Sequence, residues 1–230
     1  MDNAPADLPP GGVYYTNADH NLLHSSGRVI LPLHYWDSVR QEKPHYQAFC
    51  LYSDDEGKNW QASRKGADLP LAGAEEPGVV ERKDGSLLAM LRTSLGKIYR
   101  SVSTDRGETW SDAEPTVLPS PNVANCIKRI PQTGDLLFLW NNARPYSETR
   151  PGSTERGRPR NPLCSAISRD EGDTWENIKT IEDRRGYDNA YPSVTFVGDE
   201  TLIAFYRRSE RMARDTDVAL KIFSTDWFYS

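Results

Sequence analysis

The sequence predicts an all-β protein of about four small antiparallel sheets in tandem, the arrangement of a β-propeller. Three observations lead there. An octet of the form S-x-D-x-G-x-T-W occurs three times, as Ser53-Asp-Asp55-Glu-Gly57-Lys-Asn-Trp60, Ser103-Thr-Asp105-Arg-Gly107-Glu-Thr-Trp110 and Ser168-Arg-Asp170-Glu-Gly172-Asp-Thr-Trp175, with only Asn59 departing from it. The octets start 50 and 65 residues apart, a spacing that fits one supersecondary unit per repeat. Between them the chain runs in short apolar or alternating stretches punctuated by tight-turn residues, and no stretch longer than ten residues keeps a helical period.

Each octet reads as a hairpin turn. An Asp side chain accepts hydrogen bonds from backbone N–H groups ahead of it, and the Gly two residues later supplies a positive φ. Ser and Thr hydroxyls bond across the loop and the Trp ring covers it. Asp55, Asp105 and Asp170 are therefore expected to staple turns, since catalytic carboxylates are not needed once per repeat. Four strand sets surround the octets. Val29 to His34 and Gln47 to Tyr52 lead into the first octet. Gly78 to Glu81, Leu87 to Leu91 and Lys97 to Val102 make the second set, with the turn Asp84-Gly85 inside it. Cys126 to Ile130, Leu136 to Trp140 and Leu163 to Ile167 make the third. Ser193 to Val197, Thr201 to Tyr206 and Val218 to Phe223 make the fourth.

Composition narrows the function. The 230 residues carry a net charge of −5, which disfavours nucleic acid as a partner. Positive charge is nevertheless concentrated between Arg144 and Arg160, where five arginines face only Glu148 and Glu155, and such a site suits a small anionic ligand. No apolar run approaches the roughly 18 residues of a membrane helix, so no membrane span is expected. Met1 to Gly12 is acidic and Pro-rich, without the basic-then-apolar pattern of a secretory signal, and localisation is left open. Residues 1–11 read as a flexible N-terminal segment and 12–230 as the folded domain. Cys50, Cys126 and Cys164 are odd in number and widely separated, which argues for buried thiols rather than a disulfide framework or a metal site. His20, His24, His34 and His45 lack metal-ligand spacing, so neither a metal nor a cofactor is expected.

The octets are similar to the Asp boxes of the sialidase (neuraminidase) superfamily, and the resemblance extends over roughly residues 12 to 228. Glu76-Pro-Gly-Val-Val-Glu-Arg-Lys-Asp-Gly-Ser-Leu-Leu-Ala-Met-Leu-Arg92 resembles the family segment that carries a functional Glu and then an Arg. Arg160-Asn-Pro-Leu-Cys-Ser-Ala-Ile-Ser168 resembles the segment with another Arg before an Asp-box strand, and Ala190-Tyr191-Pro-Ser-Val-Thr the segment of the catalytic Tyr. The resemblance implies an exo-acting glycoside hydrolase that removes a terminal sialic acid or similar acidic sugar from a sialoglycan. It implies Tyr191 as nucleophile, Glu76 as its base, and Arg92 and Arg160 as the clamp on the sugar carboxylate. It also implies a six-bladed propeller, of which this sequence supplies about four blades. The first blade, with one further Arg and the acid/base Asp, is expected to be missing, and the open edges of the remainder are expected to invite self-association.

The chemistry supports these assignments. A planar guanidinium reads a carboxylate through two parallel hydrogen bonds. A neutral phenol approaches an anomeric carbon bearing a carboxylate more easily than an anionic nucleophile does, and it needs a base beside it. Other readings stand next to these. Arg144 and Arg150 are fallback clamp residues, Arg100 reads as structural, and Tyr187 competes with Tyr191. Asp19, His34 and Asp37 are placed where they could line a site. Asn141 and Asn142 could bond sugar hydroxyls or cap a loop. The alternative function is a non-catalytic carbohydrate-binding or inactive sialidase-like propeller fragment.

Overall fold

The computed structural model describes residues 8, 12–37, 43–143, 160–209 and 216–230. The chain divides into two compact units, residues 1–116 and 117–230, with the boundary inside one strand. Both are built almost wholly from antiparallel strands, as the short runs and frequent turns predict. Among the described residues the helical elements are brief 3-10 turns at Ala18–His20 and Thr225–Phe228. The segment 1–11, apart from Leu8, lies outside the described residues, as do Arg144 and Arg150.

The first unit holds two sheets. Sheet 1 orders β1 (Val13–Tyr15), β3 (Val29–Trp36), β4 (Tyr46–Ser53) and β5 (Gln61–Ala62), with β2 (Leu22–Leu23) on β3 and β6 (Ala67–Asp68) on β4. Sheet 2 is the meander β7 (Ala74–Glu81), β8 (Leu87–Thr93), β9 (Lys97–Ser103) and β10 (Glu114–Pro119). Ile30, Cys50, Tyr52, Leu87, Leu91 and Trp110 form the core between them. The second unit holds sheet 3, the meander β11 (Cys126–Arg129), β12 (Leu136–Asn141), β13 (Leu163–Ser168) and β14 (Glu176–Glu182). Its sheet 4 has three strands, β15 (Tyr187–Val197), β16 (Glu200–Ser209) and β17 (Thr216–Ser224). Here Cys126, Leu139, Ile167, Ile203, Phe205 and Phe228 make the core.

Burial separates the strands by position. β8, β12 and β13 are buried at every residue, so both of their faces are covered. That explains their continuous apolar runs, which carry no period of two. β17 alternates instead: Val218, Leu220 and Ile222 are exposed on one face while Ala219, Lys221 and Phe223 are partly covered on the other.

Two strands differ from the sequence reading in the same way. β7 begins at Ala74 rather than Gly78, and β15 at Tyr187 rather than near Ser193. Both run through a proline, Pro77 or Pro192, a residue that ordinarily ends or edges a strand because it donates no ladder hydrogen bond. The register shows how this is tolerated. Glu75 pairs with Arg92 and Gly78 with Met90, so β7 carries one extra residue there. Ala190 pairs with Tyr206 and Ser193 with Ala204, which inserts one extra residue in β15. Each proline sits in a one-residue bulge, where the ladder is already interrupted.

The three octets join β4 to β5, β9 to β10 and β13 to β14. In the second, Asp105 Oδ1 accepts the Ser103 hydroxyl and the Thr109 N–H, each at 2.8 Å, and Oδ2 accepts the Thr109 hydroxyl at 2.6 Å. Asp170 and Asp55 repeat the set, Asn59 replacing Thr in the latter. These bonds favour the ionised carboxylate and hold Asp55 down at about 2. Gly57, Gly107 and Gly172 take φ of 84°, 89° and 91°, and the residue before each, Glu56, Arg106 or Glu171, is also left-handed. The first two loops are tied together by Arg28, which is buried. It donates twice to Asp54 at 2.7 Å, to the Arg106 carbonyl at 3.1 Å and to Glu108 at 3.4 Å, and lies 4.2 Å over the Tyr52 ring.

Replacing Asp105 by Ala removes the acceptor of three hydrogen bonds and leaves the Thr109 N–H unpaired. We expect Asp105→Ala to destabilise the protein by about 2 kcal/mol, read as a lower urea midpoint at unchanged slope. A loss below about 0.5 kcal/mol would show that the octet carboxylate is dispensable to the turn.

Candidate functional site

The four expected site residues fall two in each unit. In the first unit Glu76 and Arg92 meet across the β7–β8 pair. Arg92 is buried in β8, where a lone charge would be very costly, and it has two carboxylates within reach. Its Nη1 donates to Glu76 Oε2 at 2.6 Å, and its Nη2 stands 3.4 Å from Glu75 Oε2. Glu76 occupies the β7 bulge with φ of 43°, a left-handed conformation that a side-chain-bearing residue seldom adopts. The bulge turns Glu76 to the same side as Arg92, although in a regular strand its neighbour Glu75 alone would share that face.

Two histidines from sheet 1 and its leading turn bracket this bulge. The Glu76 N–H donates to His34 Nδ1 at 3.2 Å, and His20 Nδ1 donates to the Pro77 carbonyl at 2.9 Å. His34 is buried, stacked on Tyr15 at 5.1 Å and met edge-on by Tyr46 at 5.3 Å. Burial pulls its imidazole down to about 4; nearby Arg92 and His20 push the same way, and Glu76 opposes them. The neutral ring is also the form whose Nδ1 can accept the Glu76 N–H. Asp37, weighed with His34 as a site-lining residue, is buried as well. Arg100 pairs with Glu114 at 2.8 Å.

In the second unit Tyr191 and Arg160 meet. Tyr191 occupies the β15 bulge with φ of 54° and is 38% exposed, against complete burial of Ala190 beside it. Its ring stacks on Tyr206 at 5.6 Å, and the Arg160 guanidinium lies 5.6 Å from the Tyr191 centroid and 5.5 Å from that of Tyr206. Tyr187, the competing tyrosine, contacts Arg184 and Arg207 instead. The pairing of Arg160 with Tyr191 rests on a buried bond network. The Asn189 N–H donates to the Arg160 carbonyl at 2.7 Å. Asn141 Nδ2 donates to the carbonyls of Asn189 at 2.9 Å and Pro162 at 3.2 Å. Asn141 is fully buried, which makes it a loop cap and removes it from the sugar-facing candidates.

Seven non-glycine residues have positive φ among the described residues. Three precede the octet glycines, and two are Glu76 and Tyr191. Such backbone strain persists only where its surroundings impose it, and it gathers at functional positions. The sequence carries one signal of the arrangement, the repeated placement of a candidate side chain, Glu76 or Tyr191, before proline. The histidine bracket has no local signal, since His34 and Glu76 are 42 residues apart. Among the described residues no group of three or more His, Cys, Asp and Glu side chains is placed to hold a metal ion. No helix among them is long and apolar enough to cross a membrane.

Comparison with known proteins agrees with the fold and with the resemblance. The profile of the BNR repeat-like domain matches residues 3–204. The chain is 39% identical to the anhydrosialidase of Macrobdella decora over 92 residues, 40% of this chain and 11% of that protein. It is 30% identical to the sialidase of Micromonospora viridifaciens over 148 residues, 60% of this chain and 20% of that protein. It thus spans a fifth or less of the length of these relatives. A solved structure of a mutant NanB sialidase from Streptococcus pneumoniae superposes with a TM-score of 0.64 at 22% identity, over 90% of this chain and 30% of that one. The fold is therefore of the sialidase β-propeller type, represented here by four sheets.

His34 gives this region a measurable pH dependence. Its folded pKa of about 4 lies below the ordinary value of 6.5, so between those limits the unfolded chain binds a proton that the folded one does not. The stability contributed by neutral His34 is full above pH 6.5, falls as pH drops toward 4, and is gone below it. The loss is up to roughly 3 kcal/mol. We expect His34→Asn to flatten this part of the stability–pH curve; an unchanged slope in the variant would assign the titration elsewhere.

Proposed function

The chain belongs to the BNR repeat-like domain family, and from that premise we propose that it is a sialidase-like glycoside hydrolase acting on terminal sialic acids or similar carboxylated sugars. The observation that carries the reading is the shared backbone device at two positions. Glu76 and Tyr191 each stand left-handed in a one-residue bulge, immediately before a proline, with an arginine beside each. A repeat protein needs such strain for turns at its octets. At these two strand positions the strain serves presentation of a side chain.

In this reading Glu76 takes the phenolic proton of Tyr191 as the phenol oxygen bonds to the anomeric carbon and the glycosidic C–O bond breaks. The leaving oxygen takes a proton from a general acid that we do not assign among these residues. Water then cleaves the tyrosyl–sugar bond, giving net retention of configuration, as expected of glycosidases with a tyrosine nucleophile. Arg92 and Arg160 hold the sugar carboxylate. Arg92 then serves two anions, the Glu76 carboxylate at rest and the substrate when bound. The Arg160 guanidinium, resting over the Tyr191 ring, keeps a cation where that phenol meets the carboxylated carbon.

The test uses an aryl sialoside for turnover and an unsaturated sialic acid analogue for binding. Tyr191→Phe is expected to lower hydrolysis by at least about a thousandfold while changing analogue affinity by less than about tenfold. Arg160→Ala is expected to weaken binding itself. Undiminished hydrolysis by Tyr191→Phe would overturn the mechanism. Analogue binding by a wild-type chain that hydrolyses nothing would favour a carbohydrate-binding module.

A further inference from the structure

We propose that His34 is a positioning residue for Glu76: its unprotonated Nδ1 holds the Glu76 N–H and thereby fixes the left-handed backbone from which the carboxylate reaches Arg92. The inference deepens the proposed function and rests on the role of Glu76 given there.

A bulge residue forfeits its place in the ladder, so the Glu76 N–H must find another acceptor or remain unpaired in a buried region. Pro77 offers no N–H, and its carbonyl needs a donor from outside the ladder. Both needs are met by imidazoles of opposite tautomer. His34 accepts at Nδ1 and so carries its proton on Nε2, whereas His20 donates from Nδ1 to the Pro77 carbonyl. Neither ring can exchange roles without breaking its bond.

His34 is itself held rigidly. It lies in β3, paired with Ala48 of β4, and its ring is fixed between Tyr15 and Tyr46. The groups that face it from the packed elements are Glu76 and Arg92 of sheet 2 and His20 of the leading turn, and the Arg92 cation discourages a second proton on the ring. An amide held by a rigid acceptor keeps its φ even when Arg92 reorients toward a substrate anion. The carboxylate is thus placed by the backbone as well as by its ion pair.

Two substitutions separate this role from packing. His34→Phe keeps an aromatic ring between the tyrosines and loses the acceptor. His34→Asn loses the ring and retains an acceptor oxygen near the Nδ1 position. The first readout is the Glu76 backbone amide by NMR in the intact chain, through its chemical shift, its φ-dependent coupling and its hydrogen exchange. We expect His34→Phe to shift this resonance, alter its coupling and speed its exchange by at least tenfold, and His34→Asn to restore most of the native values. The second readout is turnover of the aryl sialoside, where His34→Phe should lower kcat by tenfold or more with little change in KM, and His34→Asn should recover it. A Glu76 amide unaffected by His34→Phe overturns the proposal whatever the activity. An amide that moves while kcat stays unchanged overturns the step from backbone to carboxylate. If the wild-type chain neither binds nor hydrolyses sialosides, the proposed function fails, and the amide measurement still decides whether His34 sets the bulge.

Discussion

A strand covered on both faces has no solvent to turn to, and that constraint orders the rest of this molecule. In β8, β12 and β13 every residue is buried, so a polar group in them must find its partner inside the protein. The strands answer mostly by being apolar. Where β8 ends in Arg92, the neighbouring strand supplies Glu75 and Glu76, and where β12 ends in Asn141, the loop and strand beside it supply the Pro162 and Asn189 carbonyls. In these three strands the charged side chain, Arg92, stands near a strand end beside a bulge, which is where the proposed reaction is placed.

The bulges resolve a geometric conflict. A side chain in a regular strand is committed to one face by the period of two, and both faces of β7 are buried. One extra residue changes the phase locally and lets Glu76 share a side with its neighbour's partner. The left-handed φ costs of order 1–3 kcal/mol at such a position, an amount the hydrogen bonds and ion pair around Glu76 can offset. The same phase change at Tyr191 leaves its ring accessible although Ala190 and Pro192 on either side are buried.

Much of this was legible in the sequence because it is local. The octets declare themselves within eight residues, and their Asp, Gly and Thr meet the needs of a turn without help from elsewhere. The number of sheets and most strand cores followed from short apolar runs between turn residues. The beginnings of β7 and β15 did not, because strands that run through a proline depend on the bulges at Pro77 and Pro192, which the sequence does not show. The resemblance singles out Glu76, Arg92, Arg160 and Tyr191 but pairs Glu76 with Tyr191 and Arg92 with Arg160; the contacts of Glu76 with Arg92 and of Tyr191 with Arg160 are read from the structure alone. His34 reads in the sequence, with Asp19 and Asp37, as a residue that could line a site; in the structure its buried ring is bonded to the Glu76 backbone N–H. His20 carried no signal, since nothing in Asn17 to Leu22 indicates that its imidazole will meet Pro77. Long-range bonds to main-chain atoms leave little trace in side-chain patterns.

The Arg28 bridge bears on how a repeat of this kind can evolve. Its guanidinium arises in the turn before β3, yet its partners belong to two successive octets: Asp54 in one, and Arg106 and Glu108 in the next. A single repeat cut out and moved would carry a buried cation away from half of its acceptors. Duplication of whole pairs preserves the bridge, while insertion or exchange of one repeat breaks it. The octet can therefore be copied freely as a motif, but the blade that bears it is not a free module, and its ancestry is tied to that of its neighbour.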